Sequence, residues 1–302
     1  MKILNDSDVM KISPGEAVGV MERVFREKSD GYFFSPPRMH LDSPDGKIVF
    51  TPGGSLRGRI MGFRAYTTFG GDQITMVYDS RYGKLKGAVM GDYLGALRTG
   101  SIGSVSTRYM SNPDSWVLGI IGTGSQAFTQ TLASASVRNF REIHVYSRDD
   151  QHRRMFADKI GKMTGIKTVT EESSGSVARL SDVLVLATTS HSPVVKSSDI
   201  KPGAHVITVG RKSVNEHELD YEIAEKAEVI ATDSPIQLDS YDPPHFLSGT
   251  NLKKHIVDLS DIVSGKIPGR KTRDAITLFL SVGLSGTEVA LADYLLDRSE
   301  SM

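Results

Sequence analysis

Five consecutive residues, Val117-Leu-Gly-Ile-Ile121, run directly into Gly122-Thr123-Gly124-Ser125-Gln126-Ala127, after which helical spacing holds to Val137. A short apolar run bounded by glycine reads as a buried strand, and few folds accept a G-x-G-x-x-A loop between such a strand and a helix. Gly122 permits the tight turn, Gly124 lets the backbone come close to a pyrophosphate, and Ala127 is small enough for helix and strand to pack closely. Exposed amides at the helix start then meet the pyrophosphate charge. Gly122 through Ala127 are therefore expected to line a dinucleotide site. The alternative is a glycine turn in a nucleotide-free α/β domain, and the strand-loop-helix context weighs against it.

The same texture continues down the chain. Glu142–Ser147 reads as a strand, Gln151–Thr164 as a helix, and Val183–Ala187, His205–Val209 and Val229–Thr232 as further short apolar strands. Such alternation implies a parallel sheet covered by helices on both faces. The second strand ends in Ser147-Arg148, where an aspartate would bond a ribose 2′-hydroxyl and repel a 2′-phosphate. Serine plus arginine donate to that phosphate instead, with Arg153 one turn on as a helper. NADP is thereby favoured over NAD. NAD stays the alternative, because Asp149 and Asp150 are adjacent and Arg148 also reads as a plain surface charge. Thr188-Thr189-Ser190-His191 follows the strand Val183–Ala187, and loops at strand carboxyl ends line the ligand crevice of an open parallel sheet. Thr188 and Thr189 are thus cofactor-binding candidates, and His191 is either a proton donor or a solvent-facing loop residue.

Before Asn112-Pro113-Asp114 the pattern differs. Ser13-Pro14-Gly15-Glu16 carries a serine cap, a proline at the first helical position and a glutamate three residues on, which predicts a helix to about Lys28. From Pro36 to Val89, short segments (Lys47–Thr51, Arg59–Tyr66, Gln73–Asp79) alternate with Asp45-Gly46, Gly53-Gly54, Gly70-Gly71 and Tyr82-Gly83, predicting an antiparallel sheet. Tyr93 to Met110 and Gly286 to Arg298 read as helices, the last expected to return to the N-terminal part. The 302 residues suit roughly two domains of about 100–200 residues each.

Composition excludes several classes. Thirty-six basic and 36 acidic residues cancel, which argues against a nucleic-acid partner. With no cysteine in the chain, disulfides, thiolate catalysis and cysteine–metal sites are all excluded, and no metal is expected. Neither an apolar signal segment nor a run of about 18 apolar residues is present, so no membrane association is expected and the cytoplasm is the expected location.

The chain resembles the ornithine cyclodeaminase/mu-crystallin family. Leu97-Arg98-Thr99-Gly100 followed by the glycine loop carries the resemblance. Asp182-Val-Leu-Val-Leu-Ala-Thr188, Lys201-Pro-Gly-Ala-His205, Glu218-Leu-Asp220 and Leu278-Phe-Leu-Ser-Val-Gly-Leu284 extend it over essentially the whole chain. The resemblance implies an α/β protein with a Rossmann dinucleotide-binding domain and an α+β N-terminal sheet domain for substrate binding and homodimerisation. The implied limits are 1–113, with 280–302 returning, and 114–279. Thr99 joins the implied cofactor-binding residues. Arg38 and Arg98 occupy places of family arginines that bind a substrate carboxylate, which paired guanidinium forks suit. Arg64 falls where the family usually has lysine, keeping the charge but not the ability to exchange a proton. The alternative for Arg38 and Arg64 is a surface charge on a strand.

Two departures bear on activity. Val49 stands where the cyclodeaminases carry a glutamate, and Lys212 stands where the family's acid/base aspartate sits. No acid occurs between Asp199 and Glu216, so the aspartate is absent from this loop. Three functions follow. The first is an NAD(P)-dependent oxidoreductase on a small 2-amino, 2-imino or 2-oxo acid, with Lys212 and Arg64 as candidate catalytic groups and Arg38, Arg64 and Arg98 holding the carboxylate. The second is ornithine cyclodeaminase, converting ornithine to proline and ammonia. The third is an NADP-bound binding or regulatory protein with reduced turnover. Tyr66, Met61, Met90, His40 and His245 are candidates for lining the substrate pocket or for ordinary packing.

Overall fold

The computed structural model describes residues 2–299, so the extreme ends of the predicted limits, 1 and 300–302, lie outside the described residues. In chain order the elements are β1 (Lys2–Leu4), α1 (Asp6–Val9), α2 (Pro14–Ser29), β2 (Phe33–Phe34), β3 (Met39–Ser43), β4 (Gly46–Ser55), β5 (Ile60–Thr67), β6 (Ile74–Asp79), β7 (Lys84–Met90) and α3 (Tyr93–Met110). There follow β8 (Val117–Ile121), α4 (Ser125–Ala135), β9 (Glu142–Tyr146), α5 (Asp150–Thr164), β10 (Lys167–Thr170), α6 (Ser174–Leu180), β11 (Val183–Leu186), β12 (His205–Thr208), α7 (Tyr221–Lys226), β13 (Ala227–Thr232), α8 (Pro235–Asp239), β14 (Ile256–Asp258), α9 (Leu259–Val263), β15 (Ile276–Leu280) and α10 (Thr287–Arg298).

Two compact units result: residues up to Arg98 together with those from Gly283 onward, and Thr99–Val282. The division falls inside α3 and not at the Asn112-Pro113-Asp114 break. The physical reason is the contact of α3 with α4, where a Cβ on Gly100 would lie 2.6 Å from the Thr129 carbonyl. Arg138 also donates to the Thr107 and Arg108 carbonyls at 3.2 and 2.6 Å, satisfying the end of that helix.

In the first unit, the Ser13 hydroxyl accepts from the Glu16 amide at 3.3 Å and the Glu16 carboxylate accepts from the Ser13 amide at 2.9 Å, so α2 starts where its capping box predicts. The sheet order is β1-β7-β6-β5-β4-β2, with β3 also on β4. It is antiparallel as expected, except that β1 joins β7 in parallel. Gly53-Gly54 proves to be no turn. β4 runs through it, pairing Gly53 with Gly62 and Gly54 with Met61, because the backbone at Gly286 approaches so closely that a Cβ on Gly53 would lie 2.7 Å from the Gly286 Cα. α10 packs over this sheet and against α2; Val289, Leu291, Leu295 and Leu296 of α10 and Val18, Met21 and Phe25 of α2 are buried, with Val289 beside Gly62 and Leu296 beside Gly87 on the sheet.

The second unit is a parallel sheet in the order β10-β9-β8-β11-β12-β15-β13-β14. The short apolar runs are its buried central strands: β11 and β12 are buried along their whole length, as a sheet with helices on both faces requires. The chain winds outward from β8 to β10 and then crosses back to β11, so β8 and β11 flank the point where the winding reverses. Among the described residues no helix is long and apolar enough to cross a membrane.

Candidate functional site

At the carboxyl ends of β8, β9 and β11 lies a cleft of about 820 Å³. This is the switch point at which doubly wound sheets take ligands. Gly122, Thr123, Gly124, Ser147, Arg148, Thr188 and Thr189 line it. Gly122 has φ +113°, and a Cβ there would lie 2.2 Å from the Ala187 carbonyl oxygen, so only glycine turns the chain at this point. Gly124 caps α4 with no side-chain hydrogen bond, and no atom stands within 4 Å of where its Cβ would be. The amides of the first turn of α4, which include those of Ser125 and Gln126, have no intrahelical acceptor, the arrangement a pyrophosphate fits. Ala127 is fully buried behind the loop. Thr99 is buried as well; it does not line the cleft, and its carbonyl accepts from Gln130 Nε2 at 3.2 Å.

On the ribose side of the loop, Arg148 is exposed at the lip. The Ser147 hydroxyl donates to the Asp149 carbonyl at 3.0 Å. Arg153 turns away from the expected supporting role: it is 7% exposed and donates to the Glu171 carbonyl at 2.8 Å and to Asp150 at 2.5 Å. Its burial against the end of β10 explains the difference.

One residue organises the loops after β11 and β12. Glu218, fully buried, accepts from the Thr188 amide and hydroxyl, each at 2.8 Å, from the Thr208 hydroxyl at 2.8 Å and from the Val209 and Gly210 amides at 3.1 and 2.5 Å. Five donors on one carboxylate fix Thr188 at the cleft wall and set the path of Gly210-Arg211-Lys212. Lys212 is 3% exposed and its ammonium donates to the Gly210 carbonyl. Around it the backbone pairs Lys212 with His217 and Ser213 with His245. His245, offered above as a pocket residue, is fully buried. Burial, with the charges of Lys212, Lys253 and His217, pushes its imidazole down to about 3 and keeps it neutral. His191 faces solvent and contacts Glu216 at 2.6 Å.

The first unit brings the three candidate arginines, Arg38, Arg64 and Arg98, to one acid. Glu288, on α10, is wholly buried, and its Oε1 accepts from Arg64 Nη1 at 3.1 Å and from Arg98 Nε at 3.0 Å. Burial alone would raise its carboxyl. The charges of Arg98, Arg64 and Arg38 and a backbone hydrogen bond overcome that and hold it below the usual range. Arg64 also donates to Gln73 and lies 4.4 Å above the Tyr66 ring, while Arg38 rests on Gly283, where a Cβ would lie 1.8 Å from its Nη2. With its side chain 11% exposed, Arg64 is no surface charge. Its Nε is buried with no hydrogen-bond partner, as is the hydroxyl of Thr51, its neighbour across the β4–β5 ladder. Three guanidiniums against one carboxylate leave a positive surplus, and buried orphan donors beside it suit an anionic ligand. Val49 is buried in β4 opposite Tyr66. Glu288 escaped the sequence reading, and Glu218 entered it only as part of the Glu218-Leu-Asp220 motif, with no role assigned. The one signal for Glu288 was an acid on the apolar stripe of an amphipathic helix.

The model of the ornithine cyclodeaminase/mu-crystallin family matches residues 2–302. A Delta(1)-pyrroline-2-carboxylate reductase of Bacillus cereus is 30% identical over 230 residues, covering 75% of this chain and 70% of the relative. The structure of Thermococcus litoralis Delta(1)-pyrroline-2-carboxylate reductase in complex with NADH and L-proline superposes with a TM-score of 0.92 at 28% identity, over 100% of this chain and 98% of that one. An archaeal alanine dehydrogenase dimer with bound NAD gives 0.89 at 25% identity, over 99% and 96%. With its Rossmann unit, its glycine loop and its arginine cluster, the chain belongs to the ornithine cyclodeaminase/mu-crystallin family.

Proposed function

We propose that this protein is a nicotinamide-dependent oxidoreductase acting on a small 2-amino, 2-imino or 2-oxo acid, with NADP preferred over NAD. The observation that carries the reading is the set Arg38, Arg64 and Arg98 around the fully buried Glu288, a preformed cationic seat for a carboxylate. Glu288 holds two of the guanidiniums in place, so their remaining N–H groups are oriented before any ligand arrives. When bound, the nicotinamide supplies or accepts the hydride. Gly122, Gly124 and the α4 amides hold its pyrophosphate, and Ser147 and Arg148 take the 2′-phosphate. Lys212, anchored on Gly210, serves as proton donor or electrostatic stabiliser for the substrate nitrogen or oxygen. The reductase and dehydrogenase names of the relatives support the same class, as does the dimer of the alanine dehydrogenase for a homodimer here.

The test is nicotinamide fluorescence on titration with NADPH and NADH, followed by a screen of 2-oxo acids with ammonia and of cyclic imines. Oxidation of NADPH by one of these is the expected result; binding without turnover of any of them sinks the reading. Lys212 in place of the family aspartate favours a second reading, an NADP-bound protein with reduced turnover. Replacing Lys212 with aspartate and gaining activity would support it. Ornithine cyclodeamination is disfavoured by Val49 and Lys212 together, and ammonia release from ornithine with no net change in cofactor would restore it.

A further inference from the structure

The loops after β11 and β12 are joined by the buried carboxylate of Glu218, and its two oxygens hold different loops. Oε2 accepts from the Thr188 amide and hydroxyl, each at 2.8 Å. The Thr188 hydroxyl in turn accepts from the Ser190 amide at 3.2 Å, and Thr188, Thr189 and Ser190 all line the cofactor cleft. Oε1 accepts from the Thr208 hydroxyl at 2.8 Å, the Val209 amide at 3.1 Å and the Gly210 amide at 2.5 Å. Those three residues stand outside the cleft lining, but the Gly210 carbonyl accepts from the Lys212 ammonium. The two loops also touch. A Cβ on Gly210 would lie 2.3 Å from the Thr188 carbonyl oxygen and 2.4 Å from Glu218 Oε2. A second link, from Arg211 Nε to the Thr189 carbonyl, is longer at 3.4 Å and lies at the exposed edge.

We propose that Glu218 is a positioning residue coupling the cofactor wall to Lys212, so that filling the cleft also restrains the loop carrying that lysine. This rests on the cleft as the cofactor site and on Lys212 as the proton donor of the oxidoreductase reading. Hydrogen bonds to a carboxylate are stronger than neutral ones, and both oxygens here are occupied. The side chain cannot follow one loop without pulling on the other. A cofactor that fixes Thr188 and Ser190 therefore restrains Val209 and Gly210, and with them the carbonyl on which Lys212 is anchored. Glutamine would separate the two halves, because its carboxamide keeps one acceptor and turns the other into a donor. Two backbone amides face Oε1 and one faces Oε2, so the glutamine oxygen goes to the Oε1 side. The Thr188 amide then meets an NH2 group and loses its acceptor.

The experiment is amide hydrogen exchange, read by mass spectrometry on peptides covering 186–190 and 207–213, with and without saturating NADPH or NADH. In the wild type either cofactor should slow exchange in both peptides, by about threefold to tenfold, the worth of roughly one hydrogen bond. In Glu218→Gln the 186–190 peptide should still respond while the 207–213 peptide no longer does. Both cofactors should also bind this variant about tenfold more weakly by fluorescence, through the acceptor lost at Thr188. Thr188→Val spares the carboxylate and removes one donor from Oε2, so it should at least halve the response of 207–213. A brace that only stabilised the fold would change exchange with and without cofactor alike, and not the response to cofactor. A full 207–213 response in Glu218→Gln, or in Thr188→Val should the first variant not fold, overturns the coupling, because the cofactor or Arg211 then reaches that loop without Glu218. A wild-type response confined to 186–190 overturns it as well. A wild type that binds neither NADPH nor NADH sinks the cofactor reading on which the coupling rests.

Discussion

The cofactor cleft and the arginine cluster hold charge in opposite ways. The cleft is lined by a contiguous loop and by the residues just after β9 and β11, and its arginine, Arg148, sits at an exposed lip. The cluster gathers Arg38, Arg64, Arg98 and Glu288 from four separate segments. Arg64 and Glu288 stand 224 positions apart in the chain, and the charges of Arg64, Arg98 and Glu288 are almost wholly buried. A backbone site tolerates changes to many side chains but not to the one glycine that sets its turn. A buried side-chain site depends on every member, because removing one leaves the others uncompensated.

The largest expected effect therefore falls on Glu288. Glu288→Leu removes the counter-charge of Arg64 and Arg98 without changing volume greatly. Breaking a buried pair in this way costs about 3–5 kcal/mol. Thermal or urea denaturation should show it as a clear drop in midpoint. An unchanged midpoint would mean that the cluster is not the tightly coupled unit described above. The acid limb separates charge from packing. The carboxyl of Glu288 is depressed in the fold, so its stabilisation is complete above its ordinary pKa of about 4.5 and is lost as pH falls through the lower folded value. Glu288→Gln should remove that part of the pH dependence.

The glycine loop offers the contrasting test. Gly122→Ala puts a Cβ against the Ala187 carbonyl at a φ of +113° that residues with side chains rarely adopt. Strain of this kind costs about 1–3 kcal/mol, so NADPH and NADH should each bind about tenfold or more weakly by fluorescence titration. The effect should be equal for the two cofactors, since the loop faces the pyrophosphate they share. A selective loss for one of them would contradict the assignment.

The same contrast explains what the sequence disclosed. The loop was legible because its chemistry lies within six residues, bracketed by a buried strand and a helix that announce themselves by hydrophobic pattern. β11, β12 and the α2 cap were legible for the same reason. Gly53-Gly54 misled because a glycine pair marks either a turn or a close backbone approach, and only the contact with Gly286 decides between them. Glu288 was invisible locally: an acid in a helix reads as solvated until the fold sets Arg64 and Arg98 around it. Glu218 was seen as part of a motif, but its five donors come from two loops that only the sheet order brings together. Thr99, beside Arg98 in a motif that suggests a cofactor contact, is buried, and its carbonyl accepts from Gln130.

A smaller effect distinguishes the two units by acid sensitivity. His205, in the Rossmann sheet, is fully buried. Burial first, then the charges of Arg270 and Arg138, pushes its imidazole down to about 3. The unfolded chain takes up a proton below about pH 6.5 that the fold refuses, so stability falls with pH from about 6.5 toward 3, by up to about 1.4 kcal/mol per pH unit. This window lies above that of Glu288. His205→Gln should lower stability at neutral pH, through its contacts with Ser106 at 3.0 Å and Thr277 at 2.8 Å. It should also flatten the decline between about pH 6 and 4, the range this ionisation governs. A slope equal to the wild type's would assign the acid sensitivity elsewhere.

The smallest expected effect tests whether the cluster needs forks or only charge. Arg64→Lys keeps one cation near Glu288, but it gives up the planar contact over Tyr66 and the second donor that reaches Gln73. Lysine can still satisfy Glu288, so the denaturation midpoint should move little. What changes is the geometry offered to a carboxylate. A point charge in place of a fork should raise KM for the carboxylate substrate about threefold to tenfold, a loss of roughly one charged hydrogen bond, with kcat nearly unchanged. A fall in kcat with KM unchanged would place Arg64 in the chemical step and not in binding.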